Sequence, residues 1–233
     1  MTMFDIDKHK NILVRILKDI YSDTKLSPAL GFKGGTAAFL FYNLNRFSVD
    51  LDFDLLNKEK EDYVFKKIEK ILKKYGTLKD KQVKKFNLFY FLSYEEKAVN
   101  IKVEINRREF GSQYEIKSYL GIPMKVMVRK DMFAHKLVAM YERIGKANRD
   151  IFDVWFFSKN DWPINKNIVE KRTNLSFDKF LNKCISTLKD LPNRSILKGL
   201  GEVLDEKQKI WAKNHLKEDV IFNLKLMRKN GKK

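Results

Sequence analysis

The sequence contains one cysteine, Cys184, which excludes any internal disulfide. Its four prolines and ten glycines are scattered, so no low-complexity linker divides the chain, and no internal repeat is present. No apolar run approaches the roughly 20 residues that a membrane span requires. The opening stretch MTMFDIDKHKN lacks the apolar core of a signal peptide. These absences predict a cytoplasmic protein with no membrane partner. Histidine is scarce as well: His9, His135 and His215 show no metal-ligand spacing and read as packed or surface residues. Cys184 falls on an apolar helix stripe and reads as core. The stretch GFKGGT lacks the Gly-Lys-Ser/Thr ending of a P-loop, which excludes a Walker-type NTPase.

Acidic residues are also short, 30 against 48 basic, for a formal net charge of +18. Such a balance points to a polyanionic partner, nucleic acid first. Lysine dominates arginine 38 to 10, so contact with phosphates is expected rather than base readout. The competing explanation is a general drift of composition towards Lys, Asn, Ile and Phe. Residues 1–128 carry 24 basic and 17 acidic side chains, net +7, and residues 129–233 carry 24 and 13, net +11. The second part is the stronger candidate for an RNA-facing surface.

With 44% apolar and 33% charged residues the chain is globular, and 233 residues suffice for one large domain or two small ones. Apolar spacing predicts helices over 5–21, 37–44, 62–75, 131–144, 149–157, around 177–188, and one or two more within 202–228. Alternation predicts strands over 29–33, 49–55, 85–94, 99–106 and 124–128. Phe89-Tyr90-Phe91 and Ile101–Ile105 are expected to pair antiparallel across Glu95-Glu96-Lys97. The tail from Arg228 is expected to fray. The order is an α/β region over 1–128 and an all-helical region over 129–233.

The organising stretch is Gly34-Gly35-Thr36 to Asp54. In a strand, Asp50, Asp52 and Asp54 share one face, and Val49, Leu51, Phe53 and Leu55 share the other. A row of like charges is costly without a cation, and a divalent ion is the usual solution. Asp50 and Asp52, with Glu104 from the strand over 99–106, can hold one or two Mg²⁺ ions. Two metals can stabilise the attacking and leaving oxygens of an in-line phosphoryl-type transfer. The Gly34-Gly35-Thr36 turn, with Thr36 as N-cap of the next helix, offers backbone N–H groups to a phosphate. A solvated strand face is the plain alternative. Asp54 lies near the strand end and is peripheral. Downstream, Lys136 and Arg143 are two turns apart on one helix face, placed to line a cleft and meet a triphosphate. Their plain alternative is structural pairing with Asp150 and Asp153.

The wording GGT…RFSVDLDF, over Gly34–Thr36 and Arg46–Phe53, resembles the nucleotidyltransferase superfamily and, within it, the AbiEii/AbiGii toxin family. A second block, Lys136, Ala139, Arg143, Arg149-Asp150 and Asp153, resembles that family's downstream motif. The resemblance implies an α+β protein: an N-terminal nucleotidyltransferase-type mixed β-sheet with helices, then an all-helical C-terminal domain. It implies transfer of a nucleotide from an NTP, with Mg²⁺ or Mn²⁺, and the biology of a toxin–antitoxin or phage-defence system, with a cognate antitoxin. The acceptor would be RNA such as tRNA, or a protein hydroxyl. Asp50 and Asp52 carry over as metal ligands, Glu104 as a third by its strand context, and Lys136 as the triphosphate contact. Asp150 carries over as the acid of the second block, and Ser48 as the serine beside the phosphates. Arg143, Arg149 and Asp153 read as structural. Two rival functions are a non-catalytic nucleotide- or RNA-binding module and a metal-dependent nuclease. The nuclease lacks its usual Glu-x-Lys, since Asn106 stands two residues after Glu104.

Overall fold

The computed structural model describes residues 5–96 and 98–230. Met1–Phe4 of the opening stretch, Lys97 of the expected hairpin connection, and residues 231–233 of the expected frayed tail lie outside them. The chain divides into two compact units, one of Met1–Glu109 with Gln113–Met127, the other of Phe110–Ser112 with Val128–Lys233.

The first unit holds α1 (Ile6–Tyr21), β1 (Leu30–Lys33), α2 (Gly34–Tyr42), β2 (Leu51–Leu55), α3 (Glu61–Leu72), β3 (Thr77–Val83), β4 (Asn87–Ser93), β5 (Ile101–Asn106), β6 (Tyr114–Tyr119) and β7 (Ile122–Met127). The seven strands form one mixed sheet in the order β3-β4-β5-β2-β1-β7-β6. β2 runs parallel to β5, and β1 parallel to β7; the other pairs are antiparallel. Alternation sorts the two sheet faces. Leu51, Phe53, Leu88, Tyr90, Leu92, Ile101, Val103 and Ile105 are fully buried. Their strand neighbours Asp52, Phe89, Phe91, Lys102 and Glu104 stay partly exposed. α1 starts on Asp5, whose side chain accepts from the Lys8 N–H at 2.9 Å, and buries Leu13, Ile16, Leu17 and Ile20.

The second unit is helical, with α4 (Arg129–Arg143), α5 (Arg149–Lys159), α6 (Lys166–Thr173), α7 (Phe177–Asp190), α8 (Glu206–Trp211) and α9 (Lys217–Asn230). A π-helical turn, Ala212–Leu216, links the last two. α4 packs on α5 and α6, and α7 on α9. Phe133, Phe152, Phe157, Phe180, Leu181 and the buried Cys184 fill its interior. Among the described residues, no helix is long and apolar enough to cross a membrane.

Two expectations need correction. The second helix begins at Gly34 rather than Ala37, and Lys33 rather than Thr36 holds the N-cap position. The cause is Gly34, whose φ of +82° turns the chain straight from β1 into the helix and draws the glycines into its first turn. The second correction is that β3, β6 and α6 stand where no element is expected. β3 and β6 are the two sheet edges and carry no continuous buried face, so their sequences lack the alternation that marks a strand. α6 is short and buries only Ile168 and Val169.

Candidate active site

In the first unit the acidic stretch is carried on β2 and the residue before it. Asp50 immediately precedes the strand, and Asp52 pairs in register with Glu104 across the parallel β2–β5 ladder. Adjacent strands stand about 4.8 Å apart, so these two carboxylates are nearest neighbours. Asp50 is held by Lys102, through the backbone N–H at 3.3 Å and the ammonium at 3.6 Å. Glu104 accepts from the Asn87 side chain at 3.2 Å. No described donor reaches the Asp52 carboxylate. Burial holds the Glu104 carboxyl above the usual carboxylate range; Asp52 and Asp50 add to this, while Lys102 and Lys84 oppose it.

Asp54 has another fate. It is buried and accepts from Lys33 at 2.5 Å, from Asn106 at 2.6 Å, and from the Tyr114 hydroxyl. Three donors neutralise it, so it is not available to a ligand.

The glycine turn abuts the same carboxylates. A Cβ on Gly34 would lie 2.4 Å from the Asp52 carboxylate, and one on Gly35 would lie 2.7 Å from the Ser48 hydroxyl. Ser48 and Arg46 are both buried, with the Arg46 guanidinium donating to the Phe47 carbonyl at 2.8 Å. The Thr36 hydroxyl donates to the Asp50 carbonyl and so ties the helix to the start of β2. The helix start therefore presents N–H groups without intrahelical acceptors, a buried cation and a hydroxyl, an apparatus suited to phosphate. Replacing Gly34 by alanine is expected to cost about 1–2 kcal/mol, from the left-handed backbone, and to push Asp52 aside. A urea midpoint equal to the parent's would refute this.

His9 supports the site from α1. It is fully buried, 2.8 Å from the Tyr94 hydroxyl through Nδ1 and 3.0 Å from the Val49 carbonyl through Nε2. A carbonyl only accepts, so Nε2 carries the proton and Nδ1 accepts from Tyr94. Burial depresses the His9 pKa below its ordinary 6.5, against the opposing pull of Val49 and Asp50. A folded value below the unfolded one means full stability above about pH 6.5, lost as pH falls through the folded value. The melting temperature is expected to decline on acidification below pH 7, with a shallower decline in His9→Gln.

In the second unit Lys136 is enclosed by acids. Its ammonium lies 2.9 Å from Asp150 and 2.7 Å from Asp153, and both aspartates are buried. Arg143 stands 2.7 Å from the other Asp150 oxygen, close enough for charge pairing but without hydrogen-bond alignment. All three tryptophans border a separate pocket of about 620 Å³ in this unit, and none of the expected site residues does.

Asp50, Asp52, Glu104, Gly34, Gly35, Thr36 and Ser48 are thus gathered within the first unit, and Lys136 and Asp150 within the second. Reading the sequence overlooks Lys102, Arg46 and His9. Alternation on β5 places Lys102 on the face of Glu104 and is the signal that could flag it. Arg46 is flagged only as the first residue of the RFSVDLDF motif, and His9 carries no such signal, because its partners Tyr94 and Val49 are remote in sequence.

Among the described residues, no three His, Cys, Asp or Glu side chains stand in metal-holding geometry. The donors are nevertheless hard carboxylate oxygens of the kind Mg²⁺ takes, and Asp52 has its charge uncompensated. The set fits a divalent cation.

A family model described as nucleotidyl transferase AbiEii toxin, type IV toxin–antitoxin system, matches residues 15–214. No curated protein matches the sequence. Among solved structures, a candidate nucleotidyltransferase from H. pylori is similar, at 22% identity and TM-score 0.61, over 97% of this chain and 95% of that one. JHP933 from Helicobacter pylori is similar at 21% identity and TM-score 0.60, over 98% and 94%. An antigenic nucleotidyltransferase-like protein from Paracoccidioides brasiliensis has 15% identity and TM-score 0.50, over 84% and 94%. These likenesses establish the fold.

Proposed function

Because the chain belongs to the AbiEii nucleotidyltransferase toxin family of type IV toxin–antitoxin systems, we propose that it moves a nucleotide from an NTP onto a hydroxyl of an RNA acceptor. The observation that carries the site assignment is the register of Asp52 with Glu104 beside the Gly34–Gly35 helix start. Asp50, Asp52 and Glu104 would hold Mg²⁺ or Mn²⁺. When bound, such an ion neutralises charge on the phosphates and on the attacking oxygen.

The remaining roles belong to the chain. The first N–H groups of α2, with Ser48 and Arg46, bind the triphosphate. The acceptor oxygen attacks the α-phosphorus, an O–P bond forms, and the bond to the β-phosphate oxygen breaks, releasing pyrophosphate. Glu104, in register with Asp52 and on the side of the sheet from which the acceptor comes, is placed to take the proton of the acceptor hydroxyl. Assignment of Lys136 to the triphosphate, and of Asp150 as the acid beside it, rests on the order of the motifs. A cognate antitoxin follows from the family, and a cytoplasmic location accords with it.

The test is incubation with each α-labelled NTP, Mg²⁺ and total RNA. Label is expected on RNA with the parent and absent with Asp50→Ala/Asp52→Ala. Label appearing on protein instead would move the acceptor class. Shortened RNA without label would replace the reading with a nuclease, and RNA binding with neither change would reduce the protein to a binding module.

A further inference from the structure

β4 sends its aromatic residues to opposite faces. Tyr90 is fully buried, between Leu88 and Leu92, and its hydroxyl donates to the Phe65 carbonyl at 2.9 Å. Phe89 and Phe91 emerge on the other face, partly exposed, with ring centroids 6.5 Å apart and planes within 15°. Register places Phe89 against Glu104 and Phe91 against Lys102 on β5. On the outer side β3 sets Gln82 against Phe89 and Asp80 against Phe91. Two large apolar rings on a solvent-reaching sheet face need a reason, since Phe is at home in cores.

Cations surround the rings. The Lys84 ammonium lies 3.7 Å from the Phe89 centroid. Beyond it, Phe86 is 46% exposed, with Lys85 at 5.2 Å and the Arg108 guanidinium at 4.9 Å from its ring. Aromatic faces interleaved with Lys and Arg are what unpaired nucleotides bind: bases stack, and phosphates meet the cations.

Strand order then assigns the occupant. Along the sheet β4, β5, β2 and β1 follow one another, so Glu104 and Asp52 separate the phenylalanines from the Gly34–Gly35 helix start. In an in-line displacement the nucleophile approaches opposite the leaving pyrophosphate. With the phosphates on the β1 side, the acceptor enters from the β4 side. We propose that Phe89 and Phe91 are the stacking platform for an unpaired nucleotide of a single-stranded RNA acceptor, with Lys84, Lys85 and Arg108 receiving its phosphates. This rests on the nucleotidyl-transfer reading and extends it to acceptor recognition.

Binding tests it without requiring turnover. A fluorescein-labelled single-stranded RNA oligonucleotide is titrated with the full chain and followed by anisotropy, with the same strand annealed to its complement for comparison. The parent is expected to prefer the single strand. Phe89→Ala/Phe91→Ala is expected to weaken it about 10-fold or more, while displacement of a fluorescent NTP analogue stays unchanged. Phe89→Trp is expected to retain RNA affinity and to show indole quenching when unlabelled RNA is added, which keeps the test valid if the alanine variant fails to fold. Equal affinity of parent and double alanine variant, an indole signal in Phe89→Trp that RNA does not change, or loss of NTP affinity in place of RNA affinity would each overturn the platform. Label transfer to a protein acceptor with no RNA binding would overturn it while leaving nucleotidyl transfer standing.

Discussion

Asp52→Asn is expected to lower nucleotide transfer by about 10³-fold while leaving the melting temperature unchanged or slightly raised. The two halves of that result have one cause. Asp52 faces Glu104 across a parallel ladder and receives no described donor, so its charge contributes repulsion and no pairing to the resting fold. Removing the charge relieves Glu104 and costs no hydrogen bond. The same charge is what the proposed divalent cation requires. Asp54→Asn should behave in the opposite sense. That side chain is buried against Lys33, Asn106 and Tyr114, so its neutralisation leaves the partly buried Lys33 ammonium poorly paired and lowers stability. Transfer assays and thermal melts on the two variants check the contrast. An active Asp52→Asn would remove Asp52 from the site, and a strongly destabilised one would show that its carboxylate is structural.

Lys136→Met is expected to lose about 3–5 kcal/mol of stability, because it leaves two buried aspartates without their shared cation. For a helical unit of this size that corresponds to a melting shift on the order of 10–20 °C. Arg143 reaches Asp150 from a side chain that is 41% exposed, so solvent screening limits what it can replace. Adding Asp150→Asn and Asp153→Asn to Lys136→Met is expected to restore most of the stability, since no buried charge remains to be compensated. It should not restore transfer, because the proposed triphosphate contact is still missing. A triple variant that regains both would make Lys136 purely structural. A single variant that melts within about 2 °C of the parent would refute the ion cluster as a support of the fold.

The contrast between Asp52 and Asp54 also marks how far the residues alone carry the argument. Alternation along β2 and β5 places Asp52, Asp54, Glu104 and Lys102 on common faces, because the two-residue period of a strand is local. The amphipathic stripes of α1, α3, α4 and α7 are legible for the same reason, each being written within a few turns. The two motif blocks point to the family, and the match over residues 15–214 agrees. The edge strands β3 and β6 are not legible, because pairing with a neighbour makes them strands and their own side chains bury little.

What the order of residues established is therefore the chemistry on offer: glycines before a helix, carboxylates at alternate positions, a lysine and acids on later helices. Tertiary structure settled which of these side chains meet. It set Asp52 beside Glu104, about 50 residues away, by a parallel register that no local pattern encodes. It surrounded Asp54 with three donors, and it buried Tyr90 while leaving Phe89 and Phe91 on the carboxylate face. The physical reason is the same throughout. Side-chain direction follows from the backbone period, but compensation of a charge depends on partners delivered by distant segments. At Gly34–Asp54 the sequence held the acids in a row, and folding divided them into Asp54, neutralised by Lys33, Asn106 and Tyr114, Asp50, paired with Lys102, and Asp52, which no described donor reaches.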